Sequence, residues 1–108
     1  DPETCRLMAR YVRQHGDRAD VQRLEALREH AEGLQAFRAN DLEQAAGFFT
    51  QAAPVDHQEQ AESYFFLGES LRQLGRRKEA LDAYRRCLEL RPHHGGAADA
   101  VQREGKGD

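Results

Sequence analysis

Shifted by thirty-five residues, the chain falls into register with itself: Gly33 lies over Gly68, Ala36 over Leu71, Asn40 over Gly75, Ala45 over Ala80, Phe49 over Tyr84 and Ala52 over Cys87. A period in the mid-thirties has room for two helices and a tight turn, and units of that size bury their faces on one another rather than on a core of their own. Composition points the same way. With 4 Val, 2 Thr and no Ile against 16 Ala, 11 Leu, 14 Arg and 9 Gln, strand formers are nearly absent and helix formers dominate. A chain of 108 residues hides only about two-thirds of its unfolded surface, which gives one modest core and excludes a multidomain enzyme.

The spacing of apolar residues places the helices. Glu3 to His15 carries Leu7, Met8, Tyr11 and Val12 on one stripe and stops at Gly16-Asp17. From Asp20, read as an N-cap, Val21, Leu24, Leu27, Ala31, Leu34 and Phe37 recur every three or four residues until Asn40-Asp41. Asp41 with Gln44 forms the start of a capping box for a helix that presents Leu42, Ala45, Phe49 and Ala52 and ends at Pro54. A second pair follows: Ala61 to Leu74, closed by Gly75 in the left-handed conformation, and Arg77 to Leu90, ended by Pro92. Ala97 to Arg103 is a weaker helix before a frayed Gly-Lys-Gly-Asp end.

The second unit resembles the tetratricopeptide repeat. Tyr64, Leu67-Gly68, Leu71, Gly75, Ala80, Tyr84, Cys87 and Pro92 fall at that family's spacing for its aromatic, its Leu-Gly pair, its turn glycine, its small-aromatic-small set and its closing proline. The first unit keeps Gly33, Ala45, Phe49 and Ala52 but has Glu29 for the aromatic, Glu32 for the Leu and His57 for the Pro. The resemblance implies an all-α, right-handed superhelix of helical hairpins. Residues 1–18 are expected as an N-terminal capping helix, 20–58 as a divergent first hairpin, 60–93 as the second, and 94–108 as a weak helix and disordered tail.

The family's members hold an extended peptide or a helix of another protein against a concave surface lined by each unit's first helix. Transferred by position, that surface comprises Leu27, His30, Leu34, Phe37 and Arg38 in the first unit. In the second it comprises Glu62, Phe65, Glu69, Arg72 and Gln73, with Phe66 at its edge. His30, Leu34 and Phe65 cannot reproduce the carboxylate clamp of Lys, Asn and Arg used by one subgroup, which disfavours chaperone-tail peptides. The lining is apolar instead, and either receives a partner's hydrophobic segment or is filled by helix one or a neighbouring unit. Self-association as a homodimer and a small bacterial secretion-type chaperone are the alternatives, and arginine richness hints at a bacterial source.

Chemistry is not expected. His30-Ala31-Glu32 lacks the thiolate ligands that would make it a zinc deaminase motif, and His57, His93 and His94 read as solvated loop residues rather than a metal site. Cys5 and Cys87, eighty-two residues apart, suit a reducing compartment, with Cys87 a core thiol. The serines, Ser63 and Ser70, lie on a helix with no nucleophile elbow, so neither catalytic residues nor a cofactor are expected. Arg72, Arg76, Arg77, Lys78, Arg85 and Arg86 form the basic region; Asp82 to Arg86 and Arg85 to Glu89 read as ion pairs on a wetted face, and a net charge of -3 argues against nucleic acid. No apolar run approaches the roughly 20 residues needed to cross a bilayer. A soluble, cytoplasmic protein is expected, although a start at Asp1 leaves any upstream targeting sequence out of view.

Overall fold

The structure, a computed structural model, describes residues 2, 3, 5 and 18–105. Five helices follow one another in the 18–105 stretch: α1 (Arg18–Arg38), α2 (Leu42–Ala52), α3 (Gln60–Gln73), α4 (Arg77–Leu90) and α5 (Gly95–Gly105). No strand occurs among the described residues, and the fold is an all-α helical repeat. The stripe expected on helix one, from Leu7 to Val12, lies outside the described residues. Asp20 does not cap: α1 already starts at Arg18, and Asp20 sits in its first turn, where its carboxylate favours the positive end of the helix dipole and meets Arg23 at 3.2 Å.

Each hairpin closes by the same device. At the end of α3 the N–H of Gly75 bonds to the carbonyl of Arg72 at 3.0 Å and that of Arg76 to Leu71 at 2.9 Å. At the end of α1, Asn40 bonds to Phe37 at 3.0 Å and Asp41 to Ala36 at 2.9 Å. Both are the paired reverse bonds of a Schellman closure, which needs a left-handed residue; Gly75 has φ 82° and Asn40 φ 61°. Asp41 then caps α2, its carboxylate accepting the N–H of Gln44 at 3.3 Å. Gly75→Ala is expected to lose about 1 kcal/mol in urea denaturation because a Cβ is strained at this φ, and Gly75→Asn only a fraction of that, since Asn40 already closes the equivalent turn.

Packing runs in sequence order, α1 on α2, α2 on α3, α3 on α4 and α4 on α5, with α1 also touching α3. Small residues set the approach. Gly33 lies under the Phe49 ring and Gly68 under the Tyr84 ring so closely that a Cβ on either glycine would fall within 3.0 Å of ring carbons. Around these two crossings lie the buried Ala45, Ala46, Ala52, Ala61, Ala80 and Cys87. Behind α3, the second helices α2 and α4 diverge and leave an open groove of about 650 Å³ over Tyr64, Leu67 and Leu71. First helices that touch while second helices splay give a stack that is concave on the α1 and α3 side.

α5 is better anchored than the expected weak helix. It begins at Gly95, and its Ala97 and Ala100 are completely buried in the core formed with α4. His94 caps it, the Nδ1 accepting the N–H of Ala97 at 3.1 Å, and Arg77 donates to the Glu104 carbonyl at its far end.

Candidate protein-interaction surface

A row of aromatic rings runs across the helix junctions, with Phe37, Phe66 and Phe65 on the first helices over the fully buried Phe49 and Tyr84 of the second. Phe37 of α1 meets Phe66 of α3 edge-on, with ring centroids 5.5 Å apart; Phe66 stacks on Phe49 at 5.9 Å and meets Phe65 at 5.2 Å. Phe65 in turn lies 6.0 Å from Tyr84 and 4.8 Å from His94. Phe37 reaches Phe66 because α1 touches α3, and the consecutive Phe65 and Phe66 point to different sides of α3, toward Tyr84 of α4 and Phe49 of α2 respectively. Edge-on and offset pairs of this kind add about 0.5–1.5 kcal/mol beyond the area they bury.

The surface is less open than the sequence implies. Leu27, Leu34, Phe37 and Phe65 are all half-buried, Phe37 against Phe66, and Phe65 among Phe66, Tyr84 and His94. Phe65 is also covered by the start of α5, where a Cβ on Gly96 would lie 2.8 Å from its ring. The chain's own last helix thus covers part of the lining, an occupant that the sequence reading, with helix one or a neighbouring unit, does not name. Among the described residues Leu90 is the large apolar side chain that stands exposed, at 46%. Arg38 is exposed in the last turn of α1, beside Leu34 and Phe37.

Two charged positions form a network instead of standing open. The Tyr84 hydroxyl donates to Glu69 Oε1 at 2.5 Å, and Arg72 Nη2 donates to Glu69 Oε2 at 3.2 Å. Burial, then the Glu69 carboxylate, holds the Tyr84 phenol protonated well above its ordinary range, while the bonds to Glu69 and Tyr84 hold Arg72 charged. Glu69 and Arg72 therefore brace the α3–α4 crossing from the concave side, with Arg72 still partly exposed.

His30 is a correction. Its position on the first helix suggests a groove residue, but it is only 6% exposed, with its ring edge-on to Phe49 at 5.6 Å and its Nδ1 2.8 Å from Ser63 Oγ. It faces inward because the close approach at Gly33, one turn on, draws that side of α1 into the bundle. His57 is the second correction: far from being a solvated loop residue, it is 7% exposed. Sequence reading missed this pair and the serine between them; two histidines and a serine without a motif carry no spacing signal. His94, also read as solvated, lies against Phe65 with its Nε2 2.8 Å from Glu62.

Among the described residues, the other groups read for chemistry in the sequence are shielded by burial or by hydrogen bonds. Burial pushes the Cys87 thiol up to about 11, with Glu62 adding to the effect and Arg91 opposing it, so the thiolate nucleophile is suppressed. Ser63 and Ser70 are fully buried, and Ser70 donates to the Phe66 carbonyl at 2.8 Å. Among the described residues no three His, Cys, Asp or Glu side chains converge as metal ligands, and no helix is long and apolar enough to cross a membrane. The basic region is paired differently from the expected i,i+4 pattern: Asp82 meets Arg85 at 4.0 Å, Arg76 reaches Glu43 at 3.3 Å and Arg77 reaches Glu104 at 3.6 Å.

No curated protein matches the chain. The family description "Tetratricopeptide repeat" matches residues 61–94, which span α3, α4 and the loop to His94. Repeats of this kind generally mediate protein–protein interaction and form a non-enzymatic family. The glycine-under-aromatic crossing and the Schellman closure of the matched repeat recur in α1 and α2, so the chain carries one matched tetratricopeptide repeat and a second hairpin built on the same plan.

Proposed function

We propose that the chain is a protein-binding module whose concave face holds an apolar or amphipathic segment of another protein. The aromatic row from Phe37 through Phe66 to Phe65 is the observation that carries this reading. Rigid aromatic side chains supply contact area at little ordering cost, and Leu34 and Phe37 extend that area beside the exposed Arg38. Leu27 belongs to the same stripe, while Glu69 and Arg72 contribute through the part of Arg72 that stays exposed. The chemistry favours a segment with apolar side chains for the row and a carboxylate within reach of Arg38. A cofactor has no role in this mechanism.

Two other readings have less support. Self-association through a surface other than the aromatic row has little to work with, since among the described residues Leu90 is the single large apolar side chain that stands exposed. Nucleic acid would need an unpaired positive field, and Arg76, Arg77 and Arg85 each face a carboxylate.

The test is capture by immobilised wild-type protein against a Leu34→Glu/Phe37→Glu variant of matched helicity. Each change puts a charge into half-buried apolar contact, so a segment bound there should lose at least about tenfold in affinity. Equal capture by both proteins overturns the concave-face reading, and a sedimentation mass near twice 12.3 kDa would favour self-association.

A further inference from the structure

His57 lies in the loop between α2 and α3, and both of its ring nitrogens are engaged. Nδ1 accepts the backbone N–H of Glu59 at 3.2 Å. That nitrogen therefore carries no proton, and Nε2 carries one instead, donating it to the Ala52 carbonyl at the end of α2, 3.1 Å away. The same Nε2 also faces Ser63 Oγ of α3 at 3.4 Å. Ser63 Oγ also lies 2.8 Å from Nδ1 of His30, and its hydroxyl donates there when that nitrogen carries no proton. The bonds link Glu59 to His57, His57 to Ala52 and Ser63, and Ser63 to His30. Ser63 has no exposed surface, and the two imidazoles, with centroids 6.3 Å apart, are almost as buried.

Such a chain favours neutral rings. A proton added to His57 Nδ1 sets N–H against the N–H of Glu59, and one added to His30 Nδ1 turns that nitrogen from acceptor to donor, so the Ser63 hydroxyl proton must find another acceptor. The charged surroundings do not rescue either imidazolium with a direct bond. Asp56 and Glu59 of the loop and Glu62 of α3 attract a proton through space, yet none is hydrogen-bonded by its carboxylate to these rings. α2 presents Phe49 and a carbonyl; on α1 the buried neighbours Ala26 and Gly33 carry no charge, while Glu25 and Glu29 line the cleft shared with Asp56 of the loop and are not bonded to either ring.

We propose that the His30–Ser63–His57 chain is an acid-sensitive joint between the two hairpins, which holds α1 and α2 on α3 while both imidazoles are neutral and releases them when either is protonated. His94 shares one feature with His57, an Nδ1 that accepts a backbone N–H, but its Nε2 meets the Glu62 carboxylate rather than a carbonyl and a serine. α4 contributes no residue to the His30–Ser63–His57 chain, so release of the joint leaves the α3–α4 packing in place.

Burial holds both His30 and His57 below the ordinary 6.5. A histidine of lowered pKa binds fewer protons folded than unfolded between the two values, so the stability it confers is complete above about 6.5 and is lost as pH falls below it. Each such histidine raises the opening equilibrium by up to about tenfold per pH unit in that window, and the pair by up to about 100-fold.

The experiment is residue-resolved hydrogen exchange on the full chain at about pH 7.5 and about pH 5, corrected for the intrinsic pH dependence, with a nitrogen-15 titration of the imidazoles. Protection should collapse in α1 and α2 on acidification while α4 keeps most of its own, and His30 and His57 should stay neutral, with the proton on Nε2, until below 6.5. A His30→Gln/His57→Gln variant that folds should lose the differential acid response. Titration of both rings at or above 6.5, parallel loss of protection in α1 and α4, or an unchanged acid response in the variant each overturns the proposal. Should the variant fail to fold, the wild-type ring titration decides alone.

Discussion

Tyr84→Ala is expected to cost about 3–5 kcal/mol and to unfold the α3–α4 hairpin well before any other single truncation on that side, as read by urea denaturation. The ring is completely buried, lies directly on the Gly68 backbone and packs 6.0 Å from Phe65, so its removal leaves a cavity that the surrounding alanines are too small to fill. Tyr84→Phe separates the ring from its hydroxyl. It keeps the volume and removes one bond to an ionised carboxylate, for an expected loss of about 1.5 kcal/mol, at the low end for such bonds because Glu69 retains Arg72. The phenol also has an alkaline signature. Its pKa is raised on folding, so its contribution is complete below the ordinary 10 and declines as pH rises above that value, a decline that Tyr84→Phe should abolish. A Phe variant as stable as wild type would remove the hydroxyl from the account of the crossing.

The parts of this fold that were legible in the sequence are those where backbone geometry demands a particular residue. Gly75 and Asn40 announce their turns because left-handed φ excludes most side chains. Gly68 beneath Tyr84 and Gly33 beneath Phe49 announce the helix crossings because nothing larger fits there. These constraints repeat at a fixed interval, so even a divergent first unit remains readable through Gly33, Ala45, Phe49 and Ala52 despite Glu29, Glu32 and His57 at family positions.

The surface was less legible, for a physical reason. Facing a concave side is a property of a helix, whereas exposure depends on what the next helix covers. Phe65 occupies the position expected of a groove residue, but the start of α5, with Gly96 against the ring, takes part of it away. His30 shares a helix with Leu34 and Phe37 and still turns inward, since its partner Ser63 is thirty-three residues distant and no local pattern reports it. Glu69 and Arg72 look like exposed charges until the Tyr84 hydroxyl, from the neighbouring helix, gives them a structural task. Asp20 failed as a cap for a local reason, because nothing in a periodic helix sequence says how far its first turn extends upstream.

The second large effect is a three-glycine series that should split in sign. Gly47 lies inside α2 facing open space, with no atom near a Cβ added there, so Gly47→Ala should gain up to about 1 kcal/mol from helix propensity alone. Gly68→Ala takes the same propensity gain but places its Cβ 2.7 Å from the Tyr84 ring, and Gly33→Ala places one 2.8 Å from Phe49. Neither contact can stand, so a buried ring or a whole helix must move, and overpacking of this kind costs about 1–3 kcal/mol or more. Tyr84 is additionally tethered through its hydroxyl to Glu69, whereas Phe49 is held only by packing against His30 and Phe66. Gly68→Ala should therefore lose more than Gly33→Ala, about 2 against about 1 kcal/mol net. If the tether is what keeps the Tyr84 ring from yielding, Gly68→Ala should cost measurably less in a Tyr84→Phe background, a coupling of at least about 0.5 kcal/mol in a double-mutant cycle. Additive losses would instead place the rigidity of the crossing in the packing of the ring itself, and equal losses at Gly33 and Gly68 would say the same.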